Sequence, residues 1–194
     1  MIKSLKETVP GDIILTRGNN LSSKIIRFFG KLQTGQAEYS HAAAAIGNAL
    51  CVESALRVRV SDLKKYEKSA LAVWRLPLDP MERGTFERGM LQAAGNDYGG
   101  LMIPLFALDS VASFLTRLCG HKKPIFFFTE RFGLFNFPVC SQLVMWGVEK
   151  FTSFTIRDEN NSRVSWKVIS PDYLQDLLKL PNNKAELIYK QDES

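Results

Sequence analysis

Short apolar runs alternate along this chain with apolar residues at helical spacing. Pro10-Gly11-Asp12 is a turn signal, and Ile13-Ile14-Leu15-Thr16 behind it suits a buried strand. Gly18-Asn19-Asn20 breaks that run. Ser22 or Ser23 then caps a helix on which Ile25, Ile26, Phe28, Phe29 and Leu32 recur at helical spacing, ended by Thr34-Gly35-Gln36. Residues 40–46 and 50–55 read as a hairpin turning at Gly47-Asn48. The alanine run 42–45 favours helix by propensity, but the turn chemistry and the β-branched partner strand favour a strand. Leu71 to Leu76 is a further strand, stopped by Pro77. A helix is expected from Met81 to about Ala94, weakened by Gly84 and Gly89. Leu143, Val144, Gly147, Val148 and Phe151 share a helical face behind Cys140. Ser170-Pro171-Asp172 is a strong helix start, and residues 185–189 close the list as a last strand.

Composition narrows the class. The 194 residues are 45% apolar and 23% charged, with no repeat or linker, which fits one globular domain spanning 1–194. The net charge of +5 is mild and its basic residues are scattered, so nucleic acid is not an expected partner. The N-terminus lacks the apolar stretch of a secretory signal, and three widely spaced cysteines do not make a disulfide framework; a cytoplasmic location is expected. Leu101 to Cys119 is apolar but interrupted by Pro104, Asp109 and Arg117, so it reads as buried or interfacial rather than transmembrane. Six of the 13 phenylalanines fall between Phe126 and Phe137. They fill a core, line a groove for an acyl chain, or give peripheral membrane contact with Lys122, Lys123 and Arg131 beside them.

Candidate chemistry starts at Cys140. It falls in the first turn of a predicted helix, where unpaired backbone N–H groups and the helix dipole favour a thiolate. Cysteine is also a common core residue, so a partner is needed. Of the two histidines, His121 sits in a polar turn, whereas His41 opens a predicted strand. From position alone, His41 fits a half-buried structural histidine as well as a catalytic one. A hairpin centred on Gly47 sets Glu53 directly across from His41 on the same face, where a carboxylate fixes the imidazole tautomer. A loop with an even number of residues would put the two on opposite faces. Cys119 and His121 have no second ligand pair at zinc-type spacing, and the glycines fit no phosphate loop, so neither metal nor cofactor is expected.

Taken in order, Gly11-Asp12-Ile13-Ile14-Leu15, Ser40-His41-Ala42, Val52-Glu53-Ser54, Asn96-Asp97-Tyr98-Gly99, Cys140-Ser141-Gln142-Leu143-Val144 and Ser170-Pro171-Asp172 resemble the circularly permuted NlpC-type papain-like cysteine hydrolases, in particular the YiiX-like group. The histidine strand precedes the cysteine helix, which is the permuted order. The resemblance implies an α+β fold, an antiparallel sheet or small barrel packed against the helix that carries the nucleophile. It implies Cys140 as nucleophile, His41 as general base, Glu53 as the residue orienting it, and Tyr98 as an aid to the oxyanion. The Phe-rich stretch at about 101–138 has no counterpart in the family pattern and stands as an insertion. The expected activity is hydrolysis or acyl transfer at an amide or ester through a thioester, on a peptide, peptidoglycan-type or lipid substrate. The alternatives are a catalytically inactive binding module using the same groove and a membrane-adsorbed structural protein.

Overall fold

The computed structural model describes residues 4–18, 21–34, 37–54, 57–96, 102–118 and 140–192. Six strands form one antiparallel sheet: β1 (Ile13–Arg17), β2 (His41–Gly47), β3 (Leu50–Ser54), β4 (Val58–Asp62), β5 (Ala70–Arg75) and β6 (Glu186–Gln191). Their order is β4-β3-β2-β1-β5-β6, with β4 and β6 at the edges. Five helices accompany them among the described residues: α1 (Leu21–Thr34), α2 (Pro80–Ala93), α3 (Met102–Leu118), α4 (Cys140–Phe151) and α5 (Pro171–Lys179). None of these is long and apolar enough to cross a membrane.

Strand parity divides the interior into two cores. Ile13, Leu15, Ala42, Ala44, Val52, Ala72 and Trp74 face one way, and α2, α4 and α5 bury Phe86, Met90, Leu143, Val144 and Leu174 against them. The alternate residues Ile14, Ala43, Ala45, Cys51, Leu71 and Val73 face the other way, beneath Leu5, Leu63 and Ile188. Burial on both faces is why β1, β2 and β5 read as continuous apolar runs rather than as alternation. The alanines of β2 form a strand despite their helical propensity, because small side chains let α4 lie close on the sheet. Helices α2 and α4 also approach closely. A Cβ on Gly89 would stand 2.5 Å from the Phe151 ring, and one on Gly147 would stand 2.4 Å from the Met90 sulfur. The two glycines expected to weaken α2 therefore include one that its packing requires.

Helix starts follow the sequence. Asp79 and Glu82 make a reciprocal capping box at α2 with Pro80 behind the cap, so the helix begins one residue before the expected Met81. Ser170 caps α5 by accepting the Tyr173 N–H, and Pro171 takes the first helical position. Asp12 is buried and is held by a two-pronged guanidinium contact from Arg75, at 2.9 and 2.7 Å, so the Gly11-Asp12 turn is built into the structure by charge as well as by its left-handed glycine.

Candidate active site

Cys140 is the first residue of α4, and His41 is the first residue of β2. They meet where the sheet ends. There the charge on each of His41 and Cys140 bears on the ionisation of the other, and the backbone N–H groups of Ala42 and Ser141 favour charge on the sulfur. The described pairing of β2 with β3 begins at Ala43, so the Ala42 N–H lies just beyond it. On its other side, His41 Nε2 lies 3.0 Å from Glu53 Oε2. With Nε2 engaged by the carboxylate, Nδ1 is the ring nitrogen left for sulfur.

The hairpin reaches this geometry by a route different from the expected one. Glu53 lies opposite Ala43, not opposite His41. The turn has two residues, Asn48 and Ala49, both with positive φ as a tight hairpin requires. An even loop alone would send His41 and Glu53 to opposite faces. An irregularity in the pairing between Ala45 and Gly47 adds one residue on β2 and restores the parity. The two side chains are therefore diagonal neighbours on one face, within reach for long side chains.

Glu53 is buried, with 2% of its side chain exposed, and is saturated with donors. Besides His41, it accepts from Arg59 Nε at 2.8 Å, Ser61 Oγ at 2.7 Å, Lys65 Nζ and Tyr66 OH. Burial alone would raise its pKa; the hydrogen bonds from His41, Lys65, Tyr66 and Ser61 override that and hold the carboxyl far below the usual carboxylate range. Burial likewise disfavours a charged His41, but the sulfur's charge and hydrogen bond, followed by Glu53, raise it to about 9. Burial pushes the Cys140 thiol up, and the His41 charge and hydrogen bond, aided by the two backbone N–H groups, bring it below the ordinary thiol range. The two shifts run in the directions that favour thiolate and imidazolium. Cys140 is 8% exposed and the His41 side chain 20%, so the site is recessed yet open to solvent.

Cys51 shows the contrast. Burial, with the Glu53 charge adding to it, pushes that thiol up to about 12. It is a core residue.

One stretch, 167–172, holds both halves of the pair. Ser141 Oγ donates to the Ile169 carbonyl and Gln142 Nε2 to the Lys167 carbonyl, each at 2.7 Å, fixing the first turn of α4. Asp172 Oδ1 accepts the backbone N–H groups of Glu38 and Tyr39 at 2.8 and 3.0 Å, fixing the chain that enters β2. Burial pushes the Asp172 carboxyl up to about 7, so an amide is a fair mimic of it. Asp172→Ala should leave two buried N–H groups without an acceptor, costing about 2 kcal/mol or more. Asp172→Asn should keep that acceptor. The expected result is a lower Tm and a slower, alkaline-shifted alkylation of Cys140 in the alanine variant, with both restored in the asparagine variant.

The structure thus brings together Cys140, His41 and Glu53. Tyr98, the Phe-rich segment 126–137, Cys119 and His121 lie outside the described residues. Sequence reasoning missed Arg59, Ser61, Lys65 and Tyr66. Their signal was the Val58-Arg59-Val60-Ser61 alternation, an edge strand ending in the short 3-10 turn Leu63–Tyr66.

No protein-family model matches the chain, and no curated protein sequence matches it. Among solved structures, the chain is similar to the crystal structure of metalloprotein YiiX from Escherichia coli O157:H7, at 15% identity and a TM-score of 0.60. That similarity covers 96% of this chain and 99% of the other. At that identity the likeness speaks of architecture, and the chain has a YiiX-like α+β fold.

Proposed function

We propose that this protein is a thiol hydrolase or acyltransferase of the permuted papain-like kind, working through Cys140, His41 and Glu53. One observation carries the reading: an imidazole hydrogen-bonded to a buried carboxylate bears on the ionisation of a cysteine at a helix start, in a recessed site reached from solvent. A structural cysteine has no use for a partner that ionises it.

In the proposed reaction the Cys140 thiolate attacks the carbonyl carbon of an amide or ester. Charge on the carbonyl oxygen is met by N–H groups at the start of α4, which lack acceptors within the helix. Tyr98 is a further donor on the strength of the resemblance alone. The tetrahedral species collapses, the bond to the leaving group breaks, and His41 gives its proton to that group. Water, or an acceptor nucleophile in a transferase, is then deprotonated by His41 and attacks the thioester, which frees the sulfur. Glu53 stays ionised throughout and stabilises the imidazolium. Peptide, peptidoglycan-type and lipid substrates all offer the required carbonyl.

The similar YiiX structure is named a metalloprotein, and the donor set here is a poor match for an ion. Among the described residues no group of three or more His, Cys, Asp and Glu is placed to hold one. Both Glu53 oxygens are already committed to cations and hydroxyls, which leaves two ligands among the described residues at this site, where zinc takes at least three from protein.

Incubation with a panel of activated acyl esters and peptide amides, followed by mass spectrometry, should find a hydroxylamine-labile acyl group on Cys140 and none on Cys51. Iodoacetamide should label Cys140 below pH 7 far faster than Cys51. Equal, slow labelling of both cysteines with no adduct would identify a binding module instead.

A further inference from the structure

Helix α3 is inside out. Its polar residues Asp109, Ser110 and Ser113 are buried at 0%, 2% and 1% exposure. Its opposite arc presents Leu108, Val111, Phe114, Leu115 and Leu118 to solvent, from 40% exposed at Phe114 to 71% at Leu118. At 100° per residue these five fall within about one third of the helix circumference, and no polar residue lies among them. Helix α3 packs chiefly on α1, which adds Ile25 and Phe28, 43% and 61% exposed. Together the pair carries seven of the twelve large apolar residues exposed among the described ones. Monomeric proteins rarely leave such a patch in water.

We infer that the outer face of the α1–α3 pair docks on an anionic lipid bilayer. Charge selects this occupant. Helix α1 holds Lys24, Arg27 and Lys31 and no acidic residue, and Lys24 and Lys31 are exposed on either side of Phe28. Protein interfaces of comparable extent intersperse hydrogen-bonding groups, about one per 100–200 Å², whereas the α3 arc offers none. An apolar face edged by lysines is what lies flat in the headgroup region. The surface is also tied to the candidate site: Gly18, just ahead of α1, donates its N–H to Ser40 Oγ beside His41, and Gly30 of α1 sits against Asp172. The docking reading stands independently of the chemistry at Cys140.

The full chain should pellet with phosphatidylcholine vesicles containing phosphatidylglycerol, and much less with phosphatidylcholine alone. Val111→Asp with Leu115→Asp should abolish pelleting while circular dichroism stays unchanged. Lys24→Gln with Lys31→Gln should weaken partitioning about thirtyfold, at roughly 1 kcal/mol per lysine. Cys140→Ala should pellet like the parent, which separates this test from the catalytic one. Should the aspartate variant misfold, Leu115→Trp serves: its added emission should shift to the blue with anionic vesicles and be quenched by brominated lipid. A parent protein left in the supernatant with both vesicles, an aspartate variant that still pellets, or an added indole emission that does not shift in Leu115→Trp would overturn the inference. So would a parent dimer that the aspartate variant makes monomeric without either binding vesicles, since a second copy would then be the occupant.

Discussion

Replacing His41 with alanine should slow alkylation of Cys140 at pH 6 about a hundredfold. In the parent, the His41 charge lowers the pKa of the Cys140 thiol and so favours the thiolate. Without it the buried thiol reverts to a pKa of ~8.5 or above, and less than about 1% is ionised at pH 6. The loss is tempered because a thiolate of higher pKa is intrinsically more nucleophilic. Turnover of any acyl substrate should fall by about 10²–10⁴, the usual contribution of a positioned acid–base group, since in the proposed reaction His41 also protonates the leaving group. A rate for Cys140 that is unchanged in His41→Ala would remove the imidazole from the mechanism. Rates are read by mass spectrometry of the Cys140 peptide, with Cys51 as the internal standard.

Glu53→Gln should produce the largest loss of stability. The carboxylate is the shared acceptor for His41, Arg59, Ser61, Lys65 and Tyr66, and it is buried. Withdrawing its charge costs about 3 kcal/mol, the lower end of what breaking a buried ion pair costs, because Arg59 is 58% exposed and can turn to water. For a chain of this size that is a fall in Tm of about 6–12 °C. The same change should move the alkaline limb of the activity profile from near 9 toward the ordinary 6.5 of histidine. The sign follows from proton linkage. Folded His41 keeps its proton up to about 9, while the unfolded chain releases it near 6.5, so the stabilisation is complete below 6.5 and is lost as pH rises through 9. The lowered Cys140 thiol contributes the opposite slope over that range, so His41 is followed directly by NMR titration, where its midpoint should fall in Glu53→Gln. An unchanged midpoint would show that the carboxylate does not hold the proton on His41.

The candidate pair was legible because its setting is local: a cysteine at a helix start and a histidine at a strand start each announce themselves. Their connection to Glu53 was legible in outcome and not in register. The expected odd-numbered turn is in fact a two-residue turn of Asn48 and Ala49 plus an irregularity near Ile46, and the two deviations cancel in parity. No pattern of apolar residues distinguishes these routes, because β2 is buried on both faces and alanine is the same on either. Strand β4 escaped notice for a related reason. As an edge strand its Val60 is exposed and its polar residues lean inward to Glu53, so it reads as a solvated charged stretch. The inverted face of α3 was visible only as an apolar stretch broken by Asp109, since sequence alone does not say which side of a helix turns inward.

The ties from residues 167–172 have a further consequence. Sulfur and imidazole, contributed by distant parts of the chain, are indexed to one short common support through four hydrogen bonds, one buried on each side. Neither can drift from the other without breaking at least one contact shielded from water. Under the proposed reaction, discrimination among substrates then comes from how well an incoming molecule fits a held pair, with adaptation left to the walls around it.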